Sequence, residues 1–401
     1  MDTVVVGAGQ AGLAVSRELG EAGVPHVVLE RGLVGQTWRG RWDSFCLVTP
    51  NWSVQLPGHP YDGDDPDGFM PRDELVAYLE RYAAAVRAPV REGVEVRSIR
   101  PVPGGGFDLD TSDGPLVART VVLSTGAYQR PHRPAGADTL PESLVQIDVE
   151  DYRNPEQLPP GRVLVIGSGQ SGCQISEELC QAGREVFLAC GRAGWLARRI
   201  SGHDLAWWLS EAGDLDDLAE SLPEPRARLA GNVQASGRGG GHDLHYRTLR
   251  RMGVTLLGRF AGADDTEVRF APDLGESIAW GDQRHGKLMG GFRKCAAERG
   301  LPWDDDRAPE PFDPAAPERL PLDGLGAVIF TSGFRPDYGS WVHCPGAFDE
   351  LGFPIHREGA STAFPGLYFV GVHFLRKRKS SLLIGVGEDA AIVAGQIAAA
   401  G

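Results

Sequence analysis

No Cys-x-x-Cys pair occurs among the six cysteines, which stand at 46, 173, 180, 190, 295 and 344. A redox-active dithiol of that form is therefore excluded. No His/Cys group has the spacing of a zinc site, so no metal is expected, and the thiols read as free and mostly buried. Lysine is scarce, with four in the chain, and 40 basic residues face 54 acidic ones for a net charge of −14. Such a balance excludes a broad surface for nucleic acid or anionic membrane. The basic run Arg376-Lys377-Arg378-Lys379 reads as a solvated loop or an anion contact. No apolar run nears the roughly 20 residues of a membrane span. The chain passes from Met1-Asp2-Thr3 straight into Val4-Val5-Val6, without the basic start or cleavage site of a signal peptide. A cytoplasmic location is expected. The G-x-S-x-G elbow, the P-loop and H-E-x-x-H are all missing.

What is present begins with ordinary globular composition, 42% apolar and 23% charged, over 401 residues. That length admits two or three domains of about 100–200 residues each. The strongest signal is an internal echo. Asp2–Glu30 (DTVVVGAGQAGLAVSRELGEAGVPHVVLE) aligns without a gap on Arg162–Cys190 (RVLVIGSGQSGCQISEELCQAGREVFLAC), so that Gly7 meets Gly167 and Gly12 meets Gly172. Each copy is an apolar run, a glycine loop, an amphipathic stretch and a second apolar run, which is the pattern of a βαβ unit in a parallel sheet. Strands are expected at Val94–Val102, Phe107–Thr111 and Val117–Ser124, and a helix at Asp73–Arg87. Gly231–Gly241 reads as a mobile loop and Ala308–Pro321 as a domain connection. Ala327–Thr331 and Leu367–Val370 read as buried strands, and Glu388–Ala400 as a terminal helix.

The glycines carry chemistry because of where they stand. In G-x-G-x-x-G between strand and helix, the first glycine makes the turn and the second lets a pyrophosphate approach the backbone. The third lets helix and strand pack closely. Gly7, Gly9 and Gly12, with Gln10 and Ala11 opening the helix, form one such loop; Gly167, Gly169 and Gly172, with Gln170 and Ser171, form the other. The helix N-terminus offers free N–H groups to the anion. Glu30 ends the second apolar run of the first copy, with Arg31 beside it. A carboxylate there accepts ribose hydroxyls and repels a phosphate. The second copy has Cys190 at that place and Arg192 just beyond it. A guanidinium is shaped to grip a 2′-phosphate. The first site should prefer FAD or NAD and the second NADP, with Arg198 and Arg199 as further phosphate contacts. The alternative for Arg192 is a plain surface arginine. Two dinucleotide sites in one chain point to a hydride passed from nicotinamide to flavin.

With those motifs, the sequence resembles the flavin-dependent monooxygenases with two dinucleotide domains. That group holds the flavin-containing and plant indole-pyruvate (YUCCA-type) monooxygenases and their small bacterial relatives. The resemblance runs through GQTWRGRWDSFCLVTPNWSVQLPGHPY at 35–61, VVLSTGAYQRP at 121–131, TSGFRPDY at 331–338 and GLYFVGVHFLRKRKSSLLIGVGEDA at 366–390. It implies an α/β fold of two Rossmann-like domains, with an NADPH domain (156–324) inserted into a discontinuous FAD domain (1–155 and 325–401). It also implies that Trp38, Arg41 and Trp42 flank the flavin and that Val96 contacts adenine by its backbone. Thr125-Gly126 and Ser332-Gly333 fall at the crossings between domains. Gly371 and the turn Ser381-Leu382-Leu383 return to the flavin, where a helix N-terminus would favour negative charge on the reduced ring. Asn51 falls where the family places an amide beside the reactive flavin edge. Each Trp also fits a core or rim aromatic, and Asn51 a turn residue after Pro50.

The family's F-x-G-x-x-x-H-x-x-x-(Y/F) motif is eroded: Glu142, Leu144 and Asp148 replace Phe, Gly and His, and only Tyr152 survives. Trp207-Trp208 fit a buried helix face, or a pocket wall. His203, His242, His245 and His373 lack partners at readable spacing; His373 lies in the segment expected near flavin. The implied chemistry is reduction of FAD by NADPH, formation of a C4a-(hydro)peroxyflavin shielded by NADP⁺ and Asn51, and transfer of one oxygen to a small-molecule substrate. Amines, sulfides, ketones and keto acids are the classes implied. Dioxygen and that substrate are the expected partners, and the reading leaves room for a homodimer. The alternative is an NADPH-dependent flavoprotein reductase passing electrons to ferredoxin or another acceptor.

Overall fold

A computed structural model describes residues 2–400. From the amino end come β1 (Thr3–Val6), α1 (Gln10–Glu21), β2 (His26–Glu30), α2 (Arg72–Ala85), β3 (Val90–Glu92) and β4 (Thr120–Leu123). Then follow β5 (Val145–Asp148), β6 (Arg162–Ile166), α3 (Gln170–Gln181), β7 (Val186–Ala189), α4 (Leu205–Glu211), α5 (Tyr246–Met252), β8 (Thr255–Leu257), α6 (Leu274–Arg299) and β9 (Leu325–Phe330). The chain closes with β10 (Leu367–Phe369) and α7 (Val386–Ala400).

Two parallel sheets organise these elements. The first has the order β10-β4-β1-β2-β3, with a short antiparallel hairpin (His356–Arg357, Ala360–Ser361) on the β10 edge. The second has the order β5-β9-β6-β7-β8, parallel throughout. Val4, Val5, Val163, Leu164 and Val165 are buried completely, and unbroken apolar runs are what a sheet covered on both faces requires. α1 turns Leu13, Val15 and Leu19 into one core with Val393, Ala394 and Ile397 of α7. α3 turns Ile175 and Leu179 toward Val163 and Leu188 in another.

The echo extends one strand beyond the aligned segments. β4 lies against β1 as β9 lies against β6. That placement corrects the expected boundaries. β5 and β9 belong to the second sheet, although limits at 156 and 324 would give them to the first. The residues between α6 and β9 are not a crossing either. They lead into Arg319–Pro321, which pairs with Glu267–Phe270 inside the second half. A two-stranded ribbon, Arg130–Pro131 against Phe334–Arg335, joins the halves. The 231–241 segment is packed rather than loose: Gln234 and Ser236 are buried, and a Cβ on Gly237 would stand 1.9 Å from the Leu47 carbonyl oxygen. Trp208 is fully buried, as a helix face would have it. Among the described residues no helix is long and apolar enough to cross a membrane.

Candidate active site

Both glycine loops are built alike. Gly7 and Gly167 turn at φ +104° and +112°, a region that favours glycine. A Cβ on Gly12 would lie 1.8 Å from the Gly7 carbonyl oxygen, and one on Gly172 would lie 1.9 Å from that of Gly167. Hydroxyls clamp each loop. Ser124 Oγ donates toward the carbonyls of Val6 (2.7 Å) and Gly7 (3.0 Å), and Thr331 Oγ1 toward those of Ile166 (3.2 Å) and Gly167 (2.5 Å). These two residues were missed by sequence reasoning. Their signal was a Ser or Thr ending an apolar run just ahead of Thr125-Gly126 and Ser332-Gly333.

Gly9 and Gly169 differ from the other loop glycines. A Cβ there would meet nothing within 4 Å, and both backbones are extended, at φ −83° and −67°. Nothing in the chain itself requires glycine at these places. No side chain caps either helix, so the first N–H groups of α1 and α3 are free. Open space before an uncapped helix N-terminus fits a pyrophosphate.

Around the first loop, Glu30 accepts the N–H groups of Ala8 (2.8 Å) and Gly32 (2.9 Å), and Arg31 is exposed. Trp38 Nε1 donates to Gln10 Oε1 (2.9 Å), and Gln10 Nε2 donates to the Ser381 carbonyl (3.2 Å). Gly371 packs against Ala11, where a Cβ would lie 2.4 Å from the Ala11 Cβ. Residues far apart in sequence thus meet at the start of α1. Leu383 is buried and Leu382 half-buried on the same turn. Val96 is half-buried on a small antiparallel sheet, close to Val94, whose N–H donates to the Glu30 carbonyl (2.9 Å). Trp42 departs from expectation: it is 2% exposed and lies in the core of the second half with Tyr152 and Cys173. An aromatic that flanks a ligand keeps an open face, so Trp42 is a core residue.

Toward the junction, the Arg41 guanidinium lies 5.9 Å from the Phe334 ring centroid and has no ion-pair partner among the described residues; burial pushes its pKa down. Asn51 is buried. Its Nδ2 donates to the Asp65 carbonyl (2.9 Å), while its Oδ1 has no partner. Leaving such an acceptor unmet costs about 1–3 kcal/mol. His373 is buried with Nδ1 unpaired, and burial, aided by Arg378, pushes its pKa down to about 4. Its ring is 6.3 Å from that of half-exposed Tyr128. Gln129 ties the crossing together by donating to Thr125 Oγ1 (3.1 Å) and accepting from the Asp337 N–H (2.9 Å).

Around the second loop, Gln170 and Ser171 open α3 and are half-buried. Cys190 is buried where Glu30 stands in the first copy. Arg192 is exposed without an ion pair among the described residues, and lines a cleft of about 280 Å³ with Arg259, Asp273, Glu276 and Ser277. Arg198 is a correction. It is buried in a two-pronged ion pair with Asp204, donates to the Val48 carbonyl (2.8 Å) and stacks on Phe69. Those donors are spent inside the fold and do not face a phosphate. Asp148, at the place of the family His, is held by Arg133 (2.9 Å), and Tyr152 donates to Glu178 (2.8 Å).

The basic run is neither a free loop nor an open anion site. Lys377 and Lys379 each contact both Asp216 (2.7 and 3.0 Å) and Glu388 (3.0 and 2.5 Å). Arg378 pairs with Asp217 (2.9 Å) and Arg376 with Asp389 (2.9 Å). The carboxyl-terminal turn is thereby stapled to the 214–217 segment of the other half.

Comparison with known proteins agrees with this architecture. Residues 4–211, just over half of the chain, match the family described as pyridine nucleotide-disulphide oxidoreductase. An uncharacterized oxidoreductase CzcO-like of Geobacillus kaustophilus is 31% identical over 393 residues, covering 97% of this chain and 96% of that protein. The indole-3-pyruvate monooxygenase YUCCA4 of rice (Oryza sativa subsp. japonica) is 31% identical, covering 92% and 82%. The structure of a flavin-containing monooxygenase from Stenotrophomonas maltophilia superposes with a TM-score of 0.68 at 20% identity, covering 100% of this chain and 98% of that one, which shows a common fold. With two matched glycine loops and relatives along its whole length, the chain belongs to the pyridine nucleotide-disulphide oxidoreductase family, as a flavin monooxygenase-like oxidoreductase.

Proposed function

We propose that the protein is an FAD-dependent, NADPH-consuming monooxygenase that places one oxygen atom of dioxygen on a small organic substrate: an amine, a sulfide, a ketone or a keto acid. The observation that carries this reading is the pair of loops with open space at Gly9 and Gly169, only the first of which ends on a carboxylate. The FAD unit is taken as residues 2–129 with 336–400, and the NADPH unit as 130–335, from sheet membership.

FAD fits the first loop. The N-terminus of α1 would take its pyrophosphate, Glu30 its ribose, and the Trp38–Gln10–Ser381 chain would fix the wall beside it. NADPH fits the second, with the N-terminus of α3 at the pyrophosphate and Arg192 at the 2′-phosphate. When bound, reduced flavin supplies the two electrons that dioxygen needs. The chain's own part is placement. Asn51 offers an unmet buried acceptor at the junction. His373 stays neutral near pH 7, so it adds no charge there. Arg41 offers an unpaired cation.

The test is oxygenation under ¹⁸O₂ with NADPH and a panel of those four substrate classes. One labelled oxygen per product, with matched NADPH use, supports the reading. Peroxide alone with every class, together with NADPH-driven reduction of ferredoxin or a dye under argon, would replace it with a reductase.

A further inference from the structure

The two loops are tied to their strands by different chemistry. In the first, the Glu30 carboxylate does it. Where the two copies are aligned, Ala8 becomes Ser168, Glu30 becomes Cys190 and Gly32 becomes Arg192. The acid is gone, yet the tie is not. The Gly191 N–H donates to Ser168 Oγ (2.9 Å), and the Tyr246 hydroxyl donates to the Gly191 carbonyl (2.6 Å). Ser168 and Tyr246 are hydrogen-bonded to each other. With the tyrosine proton committed to Gly191, the Ser168 hydroxyl donates to Tyr246. Each member of this ring then gives one hydrogen bond and receives one. Ser168 and Tyr246 are both 4% exposed, so water does not take either place. Tyr246 is the first residue of α5, whose start is fixed by a capping box between His245 and Thr248.

Both backbone polar groups of Gly191 are therefore fixed by hydroxyls, and the next residue is Arg192. A carboxylate doing the same work would repel a 2′-phosphate; two neutral hydroxyls do not. We infer that Ser168 and Tyr246 are positioning residues that set selectivity for NADPH over NADH by presenting Arg192 to the 2′-phosphate. The inference rests on the reading of the second loop as the NADPH site.

The experiment measures flavin reduction by NADPH and by NADH in the holoenzyme, for Arg192→Ala, Tyr246→Phe, Ser168→Ala, Ser168→Thr and the Arg192→Ala/Tyr246→Phe double variant. Arg192→Ala should lower the NADPH/NADH selectivity ratio about 10- to 100-fold, as loss of a charge-assisted phosphate contact does. Tyr246→Phe should lower it about 5-fold or more, through KM rather than kcat. The double variant should be no less selective than Arg192→Ala alone, because the tie acts through that side chain. Ser168→Ala should follow Tyr246→Phe, and Ser168→Thr, which keeps the hydroxyl, should hold the ratio. If Tyr246→Phe does not fold, Ser168→Ala decides. Equal losses for both coenzymes in Tyr246→Phe and Ser168→Ala, or multiplying losses in the double variant, overturn the inference and leave the site standing. Equal losses in Arg192→Ala itself overturn the assignment of the site.

Discussion

Gly9 and Gly12 stand in one loop, and alanine at each should have effects of opposite kind. At Gly12 the new Cβ would sit 1.8 Å from the Gly7 carbonyl oxygen and 2.8 Å from Ser124 Oγ. The first neighbour is backbone and cannot swing aside, so α1 must retreat from β1 by more than about 1 Å, a figure set by ordinary contact distances. Overpacking of this kind costs about 1–3 kcal/mol, and the upper end applies here. For domains of about 150–250 residues, each kcal/mol moves Tm by about 2–4 °C. Gly12→Ala should therefore lower the Tm of flavin-free protein by roughly 6–12 °C. At Gly9 the backbone is extended, at φ −83° and ψ −171°, and the Cβ meets nothing. Alanine there removes unfolded-state freedom worth about 0.4–1 kcal/mol, so the flavin-free Tm should hold or rise slightly. The same methyl group would occupy the space read as belonging to the pyrophosphate, and flavin content should fall. Melting of stripped protein, with the absorbance ratio of flavin to protein after FAD titration, separates the two effects. Full flavin content in Gly9→Ala would refute the reading of that open space.

Other expectations can be checked as directly. Asn51→Ala gives up the bond to Asp65, worth about 1 kcal/mol, and should raise peroxide released per NADPH oxidised while flavin stays bound; unchanged coupling removes Asn51 from the mechanism. Arg198→Ala leaves Asp204 buried without its cation and should cost about 3–5 kcal/mol by denaturant titration, with coenzyme preference unmoved. A selective loss of NADPH would restore Arg198 as a phosphate contact. His373 and His245 are both pushed down to about 4 by burial. Above their ordinary value near 6.5 they are neutral in folded and unfolded chains and contribute nothing. As pH falls below 6.5 the unfolded chain takes up protons that the folded one refuses, so stability should drop by about 3 kcal/mol per histidine on reaching pH 4. Urea midpoints from pH 7 to 5 measure this decline, which His373→Gln should make shallower; an identical slope in that variant rules His373 out as a contributor.

The sequence was most informative where structure is local. The valine runs, the glycine spacings and the helical period of α1 and α3 each speak within a single strand–loop–helix stretch, and each is found in place. The Trp38–Gln10–Ser381 chain was half legible, since its members were singled out but their contact spans most of the chain. Sheet membership was not legible. Leu325–Phe330 reads as a buried strand, but its composition does not say that it lies between β5 and β6. Arg198 looked free because a lone arginine does not announce its partner, although Asp204 is close by in the sequence. The basic run looked exposed because its acidic partners, Asp216 and Asp217, lie in a distant part of the chain, beyond the reach of any local pattern. Ser124 and Thr331 were legible in principle: each follows an apolar strand and precedes a crossing glycine, as the echo would have required.

The staple between the halves also has a consequence for how this protein will respond to mutation. Lys377 and Lys379 share the same two carboxylates, Asp216 and Glu388. Removing either lysine leaves both acids with a cation, and removing either acid leaves both lysines with an anion. The network is redundant. Exposed pairs of this kind contribute about 0.2–1 kcal/mol each, so single alanine changes will look nearly silent. Only the Lys377→Ala/Lys379→Ala pair strips both acids at once, and its effect should exceed the sum of the two single changes. A one-residue-at-a-time scan would rank these positions as dispensable, although they join the carboxyl-terminal turn to the opposite half.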